Sequence, residues 1–512
     1  MQERSNPTLS IAIKSIARPK VIRGGCLLDA CQHRGEAADI LVVDDLICEI
    51  GPPGMEVPAD SEVIPASDKL LIPGLINAHT HSHYTLVKGC SASWSLEMHL
   101  NAGSWMSAER TREDLYLGAL LGATEMLRHG CTACYDMVAE LPLPSPAGMA
   151  AVTRAYEDSG MRAVISPMLA DRTFWQAIPG LIEALPENMR SAVDQVRTSP
   201  YEVSLEACRG LLENWPQATD QIKFGIAPTI PLFCSDDFLV GCRNLADEFD
   251  VGMHTHLAES KVQAVSGLKR YNTSLTAHLD KLGFLGPQLT AAHGVWLDND
   301  DLLRLSDHGV SVAHNPGSNM RLGNGLAAVA PMLDAGINVG IGTDTSTCSD
   351  HLNMFEATRL ASLVSRAQTP DYDRWLSSGN VLSMATLGGA RALGLESCGQ
   401  LTPGYKADIV FIDLNHIHYL PLNDVLNQLV FCENGEAVDA VMVGGRMVVE
   451  KGVVTTVDYE QLKNKVRAAV DRLRETTAER RRELDALEPI VGAFCLGLAK
   501  TPHHVHRYID SP

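Results

Sequence analysis

The chain has 512 residues, 45% hydrophobic and 20% charged, which is ample for a large buried core and globular in balance. Its 42 basic and 62 acidic side chains leave a formal net charge of −20, and aromatics are only 5%, so a surface for nucleic acid or an anionic membrane is not expected. The 13 cysteines are scattered, no apolar leader is evident and no apolar run reaches the roughly 18 residues of a membrane span, so the expectation is a reduced, cytoplasmic protein. Its expected partners are a small-molecule substrate and further copies of itself, as a homo-oligomer.

Residues 1–18 are polar and expected to be loose. Lys20–Ala30, Ala38–Ile50 and Lys69–His81 read as strands separated by Gly, Pro and Asp turns, without intervening helices. This is the texture of a small β-domain, assigned to residues 1–70. From residue 71 strands alternate with helices. Thr111 stands three residues before Asp114, a capping signal; Leu117, Leu120, Leu121, Thr124 and Leu127 keep helical spacing, and Gly130 ends the helix. Cys131-Thr132-Ala133-Cys134 has no second pair at zinc-ribbon spacing and reads as core thiols on a strand.

Eight apolar runs follow this rhythm, at Leu75–His81, Thr132–Met137, Arg162–Leu169, Ile222–Thr229, Val251–Leu257, Leu289–His293, Val310–His314 and Ile337–Asp344. Most connections between them are long enough for a crossover helix. The pattern predicts an α/β chain with a (β/α)8 TIM barrel over residues 71–400. The longest insertion, between Leu169 and Gln221, either folds over the barrel mouth or lies on the surface away from it.

After residue 400 the early texture returns in Gly404–Leu414 and Val438–Val454. Neither this segment (401–456) nor residues 1–70 is long enough to fold alone, so the two are expected to form one small composite β-sandwich. Residues 457–489 predict one long charged helix with Leu462, Val466, Val470 and Leu473 as its apolar stripe, inside a C-terminal unit of 457–512. His503, His504 and His506 in the tail read as a solvated or subunit-contact segment, with metal binding as the alternative.

Catalytic groups on a barrel of this kind sit where strands end, at the C-terminal face. Here the ends carry His79 and His81; His254, His256 and Glu259; His293; His314 and Asn315; and Asp344. Residues two apart on a strand share a side, so His79 and His81 can aim at one point. His79, His81, His256 and Asp344 together offer three imidazoles and a carboxylate for one divalent ion, zinc first, with Fe2+, nickel or cobalt as alternatives. A water on such an ion is acidified toward about pKa 7. Glu259 stands where it can shuttle that water's proton, and His293 where it can orient or polarise the attacked group. His254 shares the face of His256 and is an alternative ligand. His83 is a mouth residue or a loop histidine. His314 either hydrogen-bonds substrate or braces the loop Asn315–Asn319.

The stretches Pro73–His81, His256-Leu257-Ala258-Glu259, His293, Ala313-His314-Asn315-Pro316 with Ser318-Asn319, and Gly342-Thr343-Asp344 resemble the amidohydrolase superfamily. The branch they resemble holds S-adenosylhomocysteine deaminases, guanine deaminases and triazine hydrolases. Gly118–Asp136 and Asp350–Glu356 share its look, and the similarity runs from about residue 20 to 455. The resemblance implies a mononuclear metal-dependent hydrolase with His79, His81, His256 and Asp344 on the metal. It implies Glu259 and His293 in proton transfer, with Asp344 as a further proton acceptor, and spacing to Glu259 favours His256 over His254. No equivalent of the bridging lysine of two-metal members is evident, so one ion is expected. Trp94, Thr229, His314 and Asn319 are the expected substrate-facing positions. Thr229 replaces a histidine that contacts substrate in many relatives, which counts against an adenosyl-type substrate. Ser91–Leu100 lacks the usual acidic pair and carries Trp94, Glu97 and His99 instead. The expected activity is cleavage of a carbon–nitrogen bond, as deamination or amine release from a small nitrogen heterocycle; amide, urea or carbamate hydrolysis and triazine dechlorination are the alternatives, and a non-enzymatic scaffold the remaining one.

Overall fold

The computed structural model describes residues 18–508 apart from 30–33, 92, 195, 197, 216–218 and 220. Residues 1–17, expected to be loose, lie outside the described residues.

Eight strands form one parallel sheet in chain order: β1 (Leu75–Thr80), β2 (Cys131–Val138), β3 (Arg162–Leu169), β4 (Ile222–Pro228), β5 (Gly252–Leu257), β6 (Leu289–His293), β7 (Ser311–His314) and β8 (Val339–Ile341). Helices lie between them, the arrangement of a TIM barrel. Where β8 meets β1, the Asp344 N–H donates to the His79 carbonyl at 2.9 Å. Asn77 spans the same seam, its Nδ2 donating to Thr343 Oγ1 at 2.8 Å and its Oδ1 accepting from the Thr343 N–H at 3.0 Å. Backbones approach closely here: a Cβ on Gly342 would lie 2.3 Å from Asn315 Oδ1 and 2.8 Å from the His79 Cβ. Every residue of β1 and β2 is buried, as expected of strands covered on both faces.

The continuous strand expected over Lys69–His81 breaks at Gly74. Lys69–Pro73 belongs to a second sheet and β1 to the barrel. Gly74 allows the handover, because a Cβ there would sit 2.0 Å from Thr132 Oγ1. The second sheet has nine strands from both chain ends, joined where Lys69–Pro73 pairs antiparallel with Ile409–Asp413. Period-two alternation gives the sheet two buried faces. Leu71, Ile409, Phe411 and Met442 pack with Ile22, Ile40 and Ile47, whereas Leu70, Ile72, Val410 and Ile412 join the barrel's core. The edge strand Leu46–Gly51 folds back, with the Ile47 N–H donating to the Tyr405 carbonyl at 2.8 Å. The expected sandwich is thus one curled sheet.

Arg162 at the start of β3 ties this sheet to the barrel. Its Nε and Nη2 donate to the two carboxylate oxygens of Asp408 at 2.8 and 3.1 Å, with both side chains buried.

Helix α1 (Leu96–Met106) follows β1, and helix α2 (Arg112–Arg128) begins with the predicted capping box of Thr111 and Asp114. The single C-terminal helix expected over 457–489 is two helices, α3 (Tyr459–Thr476) and α4 (Ala478–Ala499). They part at Thr477, whose hydroxyl donates to the Leu473 carbonyl at 2.7 Å. The predicted stripe is partly realised: Leu462 and Leu473 are buried, with Ala469 between them, while Val466 and Val470 are half-buried. The tail docks on its own barrel. Arg507 donates to the Val295 and Leu297 carbonyls at 2.7 Å each, and His504 Nε2 lies 2.8 Å from Asp298 Oδ2. Among the described residues no helix is long and apolar enough to cross a membrane.

Candidate active site

The strand ends bring the predicted histidines and acids to one buried point. His81 Nδ1 donates to the Met137 carbonyl at 2.9 Å, and His256 Nδ1 to the Thr229 carbonyl at 2.6 Å. Each bond places the ring proton on Nδ1 and leaves the Nε2 lone pair facing inward. The two Nε2 atoms lie 3.2 Å apart, and His81 Nε2 is 3.4 Å from Asp344 Oδ1. His79 uses His254 as its outer partner, Nδ1 to Nε2 at 3.2 Å, and sets its own Nε2 3.5 Å from Asp344 Oδ1. His254 thus stands behind His79, not beside His256 as an alternative ligand. His293 Nδ1 donates to Asn319 Oδ1 at 2.8 Å; its Nε2 is 3.7 Å from Glu259 Oε1 and 3.9 Å from Asp344 Oδ2.

Such a cluster is costly without a shared cation. His79 Nε2 and His293 Nε2 are fully buried and have no hydrogen-bond partner among the described residues. Donor atoms of His79, His81 and Asp344 lie within 4.8 Å of one another, as do those of His79, His256 and His293. Three imidazoles and a carboxylate, without thiolate, suit a borderline divalent ion with an open coordination position. Burial holds the rings in the neutral state that ligation needs: it depresses the His79 pKa to about 3 and takes His256 well below the usual imidazole range.

The two carboxylates are driven apart. Burial, then the neighbouring Asp344 and Glu97 charges, raises Glu259 well above the ordinary carboxyl range. Burial works on Asp344 too, but the His79, His293 and His81 rings outweigh it and hold Asp344 well below that range. The two carboxyls are thus pushed in opposite directions, the arrangement that suits an acid/base pair. Asp344 is further held by Ser318 Oγ at 2.5 Å and the Thr345 N–H at 2.7 Å, and Glu259 Oε1 by Asn324 Nδ2 at 3.0 Å. Ala258, His293 and Asp344 have φ of 48°, 74° and 61°, so the chain takes left-handed turns at the ends of β5 and β6 and just after β8, where Glu259, His293 and Asp344 meet.

A cavity of about 560 Å³ opens from this centre, with His81, His256, Glu259 and Asp344 among its lining residues. Its walls are largely apolar. Leu96 comes from α1, and Phe174 and Trp175 come from the 170–221 insertion, which therefore does reach the barrel mouth. Thr229 lines the cavity. Trp94, His314 and Asn319 do not line it. Trp94 Nε1 donates to Glu488 Oε2 at 2.9 Å, which turns the indole to α4. His314 is buried, with both ring nitrogens lacking a hydrogen-bond partner, and Asn319 is engaged with His293. His83 is also fully buried, accepting from the Ala139 N–H at 3.2 Å. Asn324 and Gln263, whose Oε1 accepts the Glu259 N–H at 3.0 Å, were not foreseen; no spacing marks Asn324, which a separate loop delivers. His99 lines the cavity, bonded to Thr347 at 2.8 Å.

The sequence profile of the amidohydrolase family matches residues 70–448. The chain is 32% identical over 460 residues to a 5'-deoxyadenosine deaminase of Methanobrevibacter smithii, covering 89% of this chain and 98% of the relative. It is 33% identical over 442 residues to a 5-methylthioadenosine/S-adenosylhomocysteine deaminase of Syntrophomonas wolfei, covering 86% and 95%. Among solved structures, an adenosine deaminase from Xanthomonas campestris with bound zinc superimposes with a TM-score of 0.78 at 27% identity, covering 89% and 98%. An atrazine chlorohydrolase from Arthrobacter aurescens in complex with zinc gives a TM-score of 0.78 at 25% identity, covering 88% and 99%.

Proposed function

The chain belongs to the amidohydrolase family, a metal-dependent hydrolase of non-peptide carbon–nitrogen bonds, and we propose that it deaminates an adenosine derivative, releasing ammonia from the exocyclic amine. The reading rests on one observation: donor atoms of His79, His81 and Asp344 cluster together, as do those of His79 and His256, with His81 and His256 Nε2 3.2 Å apart, beneath a cavity of heterocycle size. In this reading those four residues hold one ion, zinc by analogy with the relatives. When bound, the ion makes hydroxide available at neutral pH.

The protein's own groups account for the remaining steps. Asp344 accepts a proton from the attacking water and passes it to the amine, which leaves as ammonia. Glu259, whose burial favours the protonated form, gives its proton to the ring nitrogen and takes one back from the new hydroxyl as the carbonyl forms. Asn324 fixes the carboxyl that does this. His293, held through Nδ1 by Asn319, turns Nε2 toward the oxygen entering at the attacked carbon. Apolar walls exclude bulk water from the ring. Among the described residues, this reading assigns 71–400 to the catalytic barrel, 18–70 with 401–456 to the accessory sheet and 457–508 to the C-terminal helices and tail.

Thr229 favours a second reading. Its small side chain lines the cavity where many relatives place a histidine, which suits amide, urea or triazine substrates. The test is a turnover screen of zinc-loaded protein with 5'-deoxyadenosine, 5'-methylthioadenosine, a triazine and aryl ureas. Ammonia release with conversion of the adenine ring to hypoxanthine is the expected result; release of chloride or an alkylamine alone would replace the adenosine reading with the second.

A further inference from the structure

The C-terminal helices lie beyond the family-matched residues 70–448, yet α4 reaches the substrate cavity. It runs antiparallel to α1, fastened at points one helical turn apart. Arg480 Nε and Nη2 donate to Ser104 Oγ at 3.3 and 3.2 Å, and the Leu484 carbonyl accepts from Asn101 Nδ2 at 2.9 Å. Glu488, a further turn on, takes the Trp94 indole N–H at 2.9 Å.

Arg480 differs from the arginines around it. Arg472 pairs with Asp114, and Arg481 pairs with Asp485 and covers the Trp105 ring. Arg480 forms no ion pair among the described residues, and it is the one Lys or Arg among the described residues lining the cavity. A single neutral hydroxyl takes two of its five N–H donors, and a guanidinium stays charged at any physiological pH. Of the cavity's four acids, none pairs with it among the described residues: Glu140 is engaged by the Ser145 N–H and hydroxyl at 2.7 and 2.6 Å, Glu259 and Asp344 belong to the reacting centre, and Glu109 forms no ion pair with Arg480.

We propose that Arg480 is an anion-recognition residue of the substrate site, taking a carboxylate or phosphate carried by the part of the substrate remote from the reacting ring. A forked donor fits either group, and in a chain with a net charge of −20 such a local counter-charge favours the entry of an anionic substrate. The inference rests on the deaminase reading for its choice of probes.

The test compares KM and kcat of zinc-loaded wild type, Arg480→Gln and Arg480→Lys on neutral 5'-deoxyadenosine, on S-adenosylhomocysteine for a carboxylate and on adenosine 5'-monophosphate for a phosphate. Arg480→Gln should raise KM for at least one anionic probe about tenfold or more relative to the neutral one. Arg480→Lys, which keeps the charge and the stem, should restore part of that difference and covers the case in which glutamine weakens the α1–α4 contact. Equal changes on all three probes would reduce Arg480 to a helix fastener and overturn the proposal. If no probe is deaminated, the substrate reading fails by itself. Calorimetric titration of wild type and both variants with inorganic phosphate and with acetate then decides the anion site: binding lost in Arg480→Gln supports it, and no difference refutes it.

Discussion

His79 and Asp344 are joined twice: backbone to backbone at 2.9 Å across the seam between β1 and the segment after β8, and side chain to side chain with Nε2 3.5 Å from Oδ1. The contact that closes the barrel therefore also sets the Asp344 carboxylate beside the His79 ring of the candidate metal site.

Asp344→Ala should abolish both bound metal and turnover, as read by elemental analysis of the purified protein alongside the deaminase assay. A variant retaining stoichiometric metal would remove Asp344 from the ligand set.

Chelator treatment should inactivate the enzyme, and stoichiometric zinc should restore it. The metal-free protein should also melt lower, because a ligand that binds only the folded state at a hundred times its Kd stabilises it by about 2.7 kcal/mol. Identical melting of both forms would show that the buried imidazoles do not share an ion.

Glu259→Gln keeps the shape and the Asn324 contact but cannot carry a proton back and forth. Metal content should stay near wild type while kcat falls about 10²–10⁴-fold. Full turnover would dismiss Glu259 as the proton carrier.

Asn319→Ala separates positioning from substrate contact. Asn319 holds His293 by its Nδ1 and does not line the cavity, so kcat should drop about 10–100-fold with little change in KM. A rise in KM with kcat intact would return Asn319 to the substrate surface.

Arg162→Met leaves Asp408 buried without its partner between barrel and accessory sheet. Loss of one member of a buried pair costs about 3–5 kcal/mol, visible as a lower denaturation midpoint. Unchanged stability would mean that the other donors to Asp408, the Gly444 N–H at 2.7 Å and the Cys398 thiol at 3.6 Å, are sufficient.

Much of this was legible from local pattern. The eight apolar runs lie on the eight barrel strands because a strand buried on both faces must be apolar throughout. The Thr111–Asp114 capping box was readable because its bonds close within one turn. Elsewhere local pattern misled. Lys69–His81 reads as one strand, yet Gly74 passes it between two sheets for a steric reason located at Thr132. The stripe of Leu462, Val466, Val470 and Leu473 ends before Thr477 and carries no sign of the break there. Trp94 and Asn319 lie in stretches that resemble substrate-facing ones, but the Trp94 indole N–H is taken by Glu488 and the Asn319 side-chain oxygen by His293.

By itself the sequence determined which side chains leave the strand ends on the same side, since that follows from the pitch of a strand, a property of the backbone alone. Only the tertiary structure decided that His254 stands behind His79, that Asn324 reaches Glu259 and that Phe174, Trp175 and Arg480 wall the cavity. Those are encounters between segments far apart in the chain, and no local periodicity encodes which distant atoms meet when the barrel closes.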